Sequence, residues 1–362
     1  MLVLKENSCE KLQIVLKSDS GEREANKNLG SELLAISSSY AKPQFGKSLA
    51  QVCITLGLWL VSYVGGLSMV ESSLYGAGLA VVAAAALVVR LFIIRHDCGH
   101  RSFFRSRQAC DLLGFWLGIL TMTPYRCWLR FHAAHHVSAG NLNRRGVGDI
   151  HTLTVKEYLN LTPAKQRWYR VYRHPLVLLV IGPPLLFILR QRTTYQLPKA
   201  WVIERRSVYL TNFFWLAAVA LPCVFYGPLI ALSFHLTMIS LAAMGGVWLF
   251  YVQHQFPDTY WRQDPEWISW RASMKGASYL DLPAWLRWLT ASIGLHHIHH
   301  LDPRIPNYRL YECFTNHAEF ASPTRITLNQ SVACLRLRLW DAQSGRMVPL
   351  PYPPRAHLGA VS

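Results

Sequence analysis

Eight of the chain's 15 histidines fall into three tight groups. His96 and His100 stand in HDCGH, His132, His135 and His136 in HAAHH, and His296, His299 and His300 in HHIHH. On an α-helix, residues i and i+4 lie one turn apart, about 5.4 Å along the axis, while i+3 points about 60° to the other side of that stripe. HxxxH therefore offers two imidazoles to a single metal, and HxxHH offers two to one metal and a third to a neighbour. This geometry suits a pair of metals bound between helices. A lone helical histidine is usually a surface or satisfied core residue, and one HxxxH pair arises readily by chance. Three groups within reach of the same span ends are not accounted for in that way.

Ligand type narrows the metal. Imidazole suits Zn, Cu, Fe and Ni. One zinc needs only three or four ligands, and the Glu and Glu-x-x-His motifs of soluble di-iron bundles do not accompany these histidines. A histidine-rich di-iron centre is inferred from ligand number, while spacing alone leaves the metal's identity open. Asp97 and Asp149 are candidate acceptors for ligand N–H groups, with a solvated or capping role equally open.

The elements that must carry these groups are read from charge. The 362 residues are 51% hydrophobic and 16% charged, against roughly 25% charged in an average soluble domain. Mean hydropathy is +0.16. The net charge of +17, from 37 Lys+Arg and 20 Asp+Glu, allows a nucleic-acid or an anionic-membrane partner. Its distribution decides between them. Residues 48–89 and 207–261 contain no Lys or Arg, and each stretch has room for two spans of about 20 residues. Spans are expected at about 49–70, 74–94, 208–226 and 229–252, with Arg90 able to snorkel toward water. Basic residues crowd the other segments, so the positive-inside rule places both termini and the histidine groups on the cytoplasmic side of a multi-pass membrane protein. That is the cell inner membrane if the source is bacterial. A nucleic-acid role is disfavoured, because the basic residues border spans rather than form a reading module.

Two apolar segments are too short to span. Residues 175–189 (PLVLLVIGPPLLFIL) reach only about 22 Å as a helix, and Pro183-Pro184 interrupts their hydrogen bonding. Residues 111–124 are equally short. Both are expected to be interfacial or re-entrant, since a crossing would put histidine groups on opposite faces. The expected fold is all-α: four transmembrane helices, short interfacial or re-entrant helices, and a cytoplasmic histidine-rich di-metal cap made from 95–206 and 253–346. Residues 1–45, which carry no secretory signal, read as a flexible cytoplasmic tail, and 347–362 as a loose Pro-rich tail. The eight cysteines form no CxxC pair and are expected to be free thiols. His235 is expected to hydrogen-bond inside the bundle. Trp116, Trp128, Trp168, Trp261 and Trp267 read first as interfacial belt residues.

HDCGH, HAAHH and HHIHH, in this order and separated by hydrophobic pairs, resemble the three histidine boxes of the integral-membrane fatty acid desaturases. RSFFRSR after the first box resembles that family too, as do LTMTPYRCWLRFH before the second and GNLNRRGVGDIHTLTVKEY after it. YVQHQFPDTYW follows the fourth span and LDPRIPNYRL the third box. The resemblance covers roughly residues 40–348 and is nearer the acyl-lipid omega-6/omega-3 (Δ12-type) branch than the acyl-CoA branch. It adds His254 as a ninth ligand, although Pro257 follows Phe256 where the family has HQFE. Helical geometry and the family pattern together assign His96, His100, His132, His136 and His299 to one iron. His135, His254, His296 and His300 then fall to the other, and His297 to neither.

The resemblance implies two Fe ions, O2 as co-substrate, and removal of two neighbouring hydrogens from a lipid-linked acyl chain to leave a cis double bond. Oxygen rebound would instead give an alcohol, so a hydroxylase, epoxygenase or carotenoid ketolase is the nearest alternative. A non-catalytic membrane zinc protein is the rival from another class. No dinucleotide-binding GxGxxG, ferredoxin cysteine spacing or HPGG haem word is present. Electrons are therefore expected from an external ferredoxin or cytochrome b5 type donor, for which a basic face is suited.

Overall fold

The computed structural model describes residues 19–321 and 323–350. In chain order its helices begin with α1 (Asp19–Ser38) and continue with α2 (Phe45–Met69), α3 (Leu74–Gly99), α4 (Arg107–Leu120) and α5 (Tyr125–Ser138). There follow α6 (Pro163–Tyr172), α7 (Val202–Tyr226), α8 (Pro228–His254), α9 (Ser269–Gly276), α10 (His296–Leu301) and α11 (Asn307–Asn316). Helices α2, α3, α7 and α8 are long and apolar enough to cross a membrane. The fold is an all-α polytopic membrane fold.

The span boundaries have local causes. The Ser73 Oγ accepts from the Gly76 N–H at 3.1 Å and caps α3. Gly227 takes φ +79° between α7 and α8, a conformation natural to glycine, and Pro228 opens α8 without losing a helical hydrogen bond. Small residues let the helices approach: Ala84 and Ala85 of α3 are buried against Met238 and Ile239 of α8. A Cβ on Gly66 would stand 2.4 Å from the Phe234 ring. The outward faces are apolar, with Val61, Val224 and Leu229 at 72, 78 and 80% exposure. Such a belt belongs in lipid rather than water.

The helices run beyond their apolar stretches. Helix α3 continues into HDCGH as far as Gly99 and α8 ends on His254, so the rods that carry the apolar spans also carry metal-ligand candidates at their ends. Arg90 does not snorkel. It is buried, with Nε donating to Thr55 Oγ1 at 3.1 Å, its guanidinium 4.2 Å from the Trp288 ring and a second nitrogen donating to the Trp288 carbonyl.

Residues 176–189 are helical throughout. Leu176–Arg192 is one helical rod, bent by 55° from α6. Pro183 and Pro184 lack N–H donors, and the rod absorbs them by widening: the Gly182 N–H bonds to the Val177 carbonyl five residues back. Its Leu178 and Leu179 pack beside Leu249 and Val252 of α8. Segment 111–124 lies mostly in α4, whose Cys110 and Leu117 are buried against Leu91, Ile94 and Cys98.

Both expected tails are in part structured. Leu29, Leu33 and Ile36 form an i, i+4, i+7 stripe on α1 that packs with Leu295, Ile298 and Leu301 around α10. Ser37 Oγ contacts Asp302 Oδ2 at 3.2 Å. At the other end β5 (Arg346–Pro349) pairs antiparallel with β4 (Leu337–Asp341), which is joined in parallel by β1 (Leu153–Thr154). A second small sheet pairs β2 (Tyr279–Asp281) with β3 (Arg325–Thr327). Residues 1–18 and 351–362 of those tails lie outside the described residues. The seven cysteines among the described residues are free.

Candidate metal centre and active site

Four helices bring nine imidazoles together. The last turn of α3 carries His96, and His100 caps it. Helix α5 supplies His132, His135 and His136, α8 ends on His254, and α10 supplies His296, His299 and His300. The candidate ligand atoms of His96, His100, His132, His136 and His299 all lie within 4.8 Å of one another, as do those of His135, His254, His296 and His300. In the five-membered group the Nε2 atoms of His100 and His132 are 2.9 Å apart, those of His132 and His136 3.1 Å, and those of His136 and His299 3.2 Å. The four-membered group closes a ring: His135 to His254 at 3.2 Å, His254 to His296 at 3.0 Å, His296 to His300 at 3.1 Å and His300 to His135 at 3.3 Å.

The opposite ring nitrogens fix what those Nε2 atoms are. His135 Nδ1 donates to Asp149 Oδ1, and His254 Nδ1 donates to the Gly276 carbonyl at 3.1 Å. In a neutral imidazole only one nitrogen carries hydrogen, so both Nε2 atoms present lone pairs to each other across 3.2 Å. A cation between them converts that repulsion into ligation. Ligand atoms held at right angles about 2.1 Å from one ion are about 3 Å apart, which agrees with the separations seen. Burial supports the neutral form, pushing His132, His136, His296, His299 and His300 well below the usual histidine value, with neighbouring histidines adding to the effect. The residues fit metal ions in both groups.

Supporting contacts differ between the groups. Asp97 is buried beside His96; its Oδ1 accepts from His96 Nδ1 at 3.1 Å. The Asp97 Oδ2 accepts from the Asn307 backbone N–H at 2.7 Å and from its Nδ2 at 2.8 Å. Gln51 of α2 in turn donates to Asn307 Oδ1 at 2.8 Å, which sets the direction of that amide. Asn307 and Gln51 have no place in the sequence reading. Asn307 sits in the LDPRIPNYRL word, but its partner is 210 positions away. Gln51 had one usable signal, a polar side chain inside a Lys/Arg-free span. His297 belongs to neither group: its Nε2 points to the Phe320 carbonyl at 3.2 Å. His235 lies in the bundle, accepting from Trp215 Nε1 at 2.9 Å and meeting the Tyr63 hydroxyl at 3.3 Å.

A cleft lined by Ile150, Phe250, Tyr260 and Trp261 borders His135, His254 and Asp149. Phe250 stands 5.1 Å from the His135 ring. Apolar side chains thus border one edge of the four-histidine group.

A sequence model of the family described as "Fatty acid desaturase" matches residues 71–331. The chain belongs to the fatty acid desaturase family. This desaturase is 38% identical over 314 residues to a "Fatty acid desaturase" of Bacillus subtilis (strain 168), covering 86% of this chain and 88% of that protein. It is 27% identical over 282 residues to an "sn-1 oleoyl-lipid 12-desaturase" of Synechocystis sp., with 73% of this chain and 74% of the other covered. An "Omega-6 fatty acid desaturase, chloroplastic" of Arabidopsis thaliana is 27% identical over 283 residues, 73% of this chain and 57% of that protein. The chain is an oxidoreductase of this class.

Proposed function

We propose that the nine histidines hold two iron ions and that the enzyme introduces a cis double bond into a lipid-linked acyl chain at the omega-6 (Δ12) or omega-3 position. The observation that carries the metal part is the face-to-face meeting of the His135 and His254 lone pairs, 3.2 Å apart inside a closed ring of four imidazoles. The substrate part is supported by the names of the Synechocystis and Arabidopsis relatives. An unactivated methylene offers no acidic proton to a side chain, and an iron pair held by these histidines would, with O2, supply the oxidising power that such a C–H bond requires.

The chain's own residues supply the setting. Asp149 and the Gly276 carbonyl hold His135 and His254 in the tautomer whose Nε2 is free to ligate. Asp97, itself held by Asn307, does the same for His96. Phe250, Tyr260 and Trp261 line the cleft beside His135 and His254 with apolar surface. Electrons come from an external ferredoxin or cytochrome b5 type carrier. The termini and site face the cytoplasm, as the arginine-rich segments around the spans indicate.

The reading is tested by expressing the chain in a host rich in monounsaturated lipid and locating new double bonds by gas chromatography–mass spectrometry. A new cis bond at Δ12 or the omega-3 position is expected. Hydroxylated, epoxidised or keto products alone would overturn it.

A further inference from the structure

Arg95 immediately precedes His96 and is fully buried, yet none of its three guanidinium nitrogens has a hydrogen-bond partner among the described residues. Aromatic rings hold it instead. Its Cζ lies 4.3 Å from the Trp128 ring centroid, 5.1 Å from Phe92 and 5.8 Å from Tyr125. Gly118 leaves room for it: a Cβ there would stand 3.5 Å from Arg95 Nε and 2.7 Å from the Thr123 carbonyl. Trp128 in turn stacks on His132, the two rings 4.3 Å apart and only 16° from parallel, and meets His96 edge-on at 5.7 Å. Arg95 on α3 and Trp128 on α5 thereby join the two helices that supply four of the five histidines in the larger group.

A buried cation without an ion partner is unfavourable for folding, and ring faces offset that only in part. Its field is also poorly screened there. We propose that Arg95 and Trp128 are positioning residues for the five-histidine site: Trp128 fixes the plane of His132, and the Arg95 charge raises the reduction potential of the metal held there. A positive charge disfavours the more highly charged oxidised ion, which sets the sign. The inference rests on the reading that both groups bind iron, and it makes the two sites electrochemically unequal.

The test uses full-length purified protein in lipid nanodiscs, with iron content, Co(II) titration of the metal-free form, and redox titration of the iron form. Arg95→Met is expected to bind two irons but to lower one midpoint so that the reduced-to-oxidised ratio at fixed potential falls about tenfold, 59 mV for a one-electron couple. Arg95→Lys should keep that ratio within about threefold of wild type. Trp128→Leu should weaken one of two Co(II) sites by about tenfold, and Trp128→Phe, which retains a ring, by less than about threefold. Unchanged midpoints in Arg95→Met, or wild-type Co(II) binding in Trp128→Leu, would overturn the proposal. So would failure of Arg95→Met to fold, because an unpaired buried charge is a burden on folding. A wild-type protein that binds no metal pair would instead refute the underlying reading, and the two failures are distinguishable.

Discussion

Replacing Asp97 by asparagine changes one atom and reverses one hydrogen bond. The side chain of Asp97 receives three N–H donors, His96 Nδ1, the Asn307 backbone and Asn307 Nδ2, which suits an acceptor-only carboxylate. An amide keeps its oxygen toward the two Asn307 donors, so its NH2 falls opposite His96 Nδ1. His96 must then accept at Nδ1 and carry its proton on Nε2, the nitrogen it presents to the five-histidine group. Loss of a hydrogen bond to a charged group is worth about 1.5–3 kcal/mol, and loss of a ligand's supporting acceptor typically lowers metal affinity about 10- to 100-fold. Asp97→Asn should therefore weaken one of two Co(II) or Fe(II) sites by about 10- to 100-fold and reduce turnover comparably. The other site should change by less than about threefold, as expected for a group with separate supports. Competitive titration against a coloured chelator resolves the two sites. Wild-type affinity at both, or equal loss at both, would refute the tautomer argument. Asp97→Ala is a poorer probe, since abandoning three buried donors costs roughly 1–3 kcal/mol each against a total stability of about 5–15 kcal/mol.

Other consequences are equally specific. His135→Ala or His299→Ala should abolish turnover while the protein still inserts in the membrane; retained turnover in either variant would remove that residue from the ligand set. Leu33→Ala removes a buried α1 side chain from the cluster around α10 and should destabilise the fold by about 2–5 kcal/mol, measured by thermal or denaturant unfolding, whereas a loss under about 1 kcal/mol would show α1 to be dispensable. Burial pushes His297 down to about 3 from an ordinary 6.5. Its folded-state value is thus below its unfolded value, so its neutral form stabilises the fold above pH 6.5, and that stabilisation is lost as pH falls toward 3. Denaturant unfolding of His297→Gln should show a shallower loss between pH 6.5 and 4 than wild type; parallel curves would contradict the assignment.

The parts of this molecule that were legible in the sequence are those set by local chemistry or by solvent. Lys/Arg-free stretches mark the spans because a buried bilayer charge is costly, and HxxxH and HxxHH spacing marks the histidines that the fold gathers because helical period is local. Contacts between distant segments left weaker traces. The Leu29, Leu33, Ile36 stripe is a helical period in plain view, but its partner is α10, more than 250 positions on, and the surrounding polar residues make the segment read as a tail. Asn307 and Gln51 act on His96 through Asp97, and only the fold brings α2, α3 and α11 together. Pro183-Pro184 reads as a break, while the chain widens one turn of helix to pass through it. The β4–β5 pairing hides in short segments whose partners are set by register. Arg95 is the converse case: a basic residue beside a span that looks like a topology marker, and is instead enclosed by aromatic rings.

The central claim is that the nine histidines form two iron sites, and metal content tests it most directly. Elemental analysis of anaerobically purified protein is expected to find about two irons per chain in catalytically active wild type and a loss of iron in His299→Ala, which would remove a ligand of one site only. About one zinc and no iron in active wild-type protein, or two irons undisturbed in His299→Ala, would contradict it.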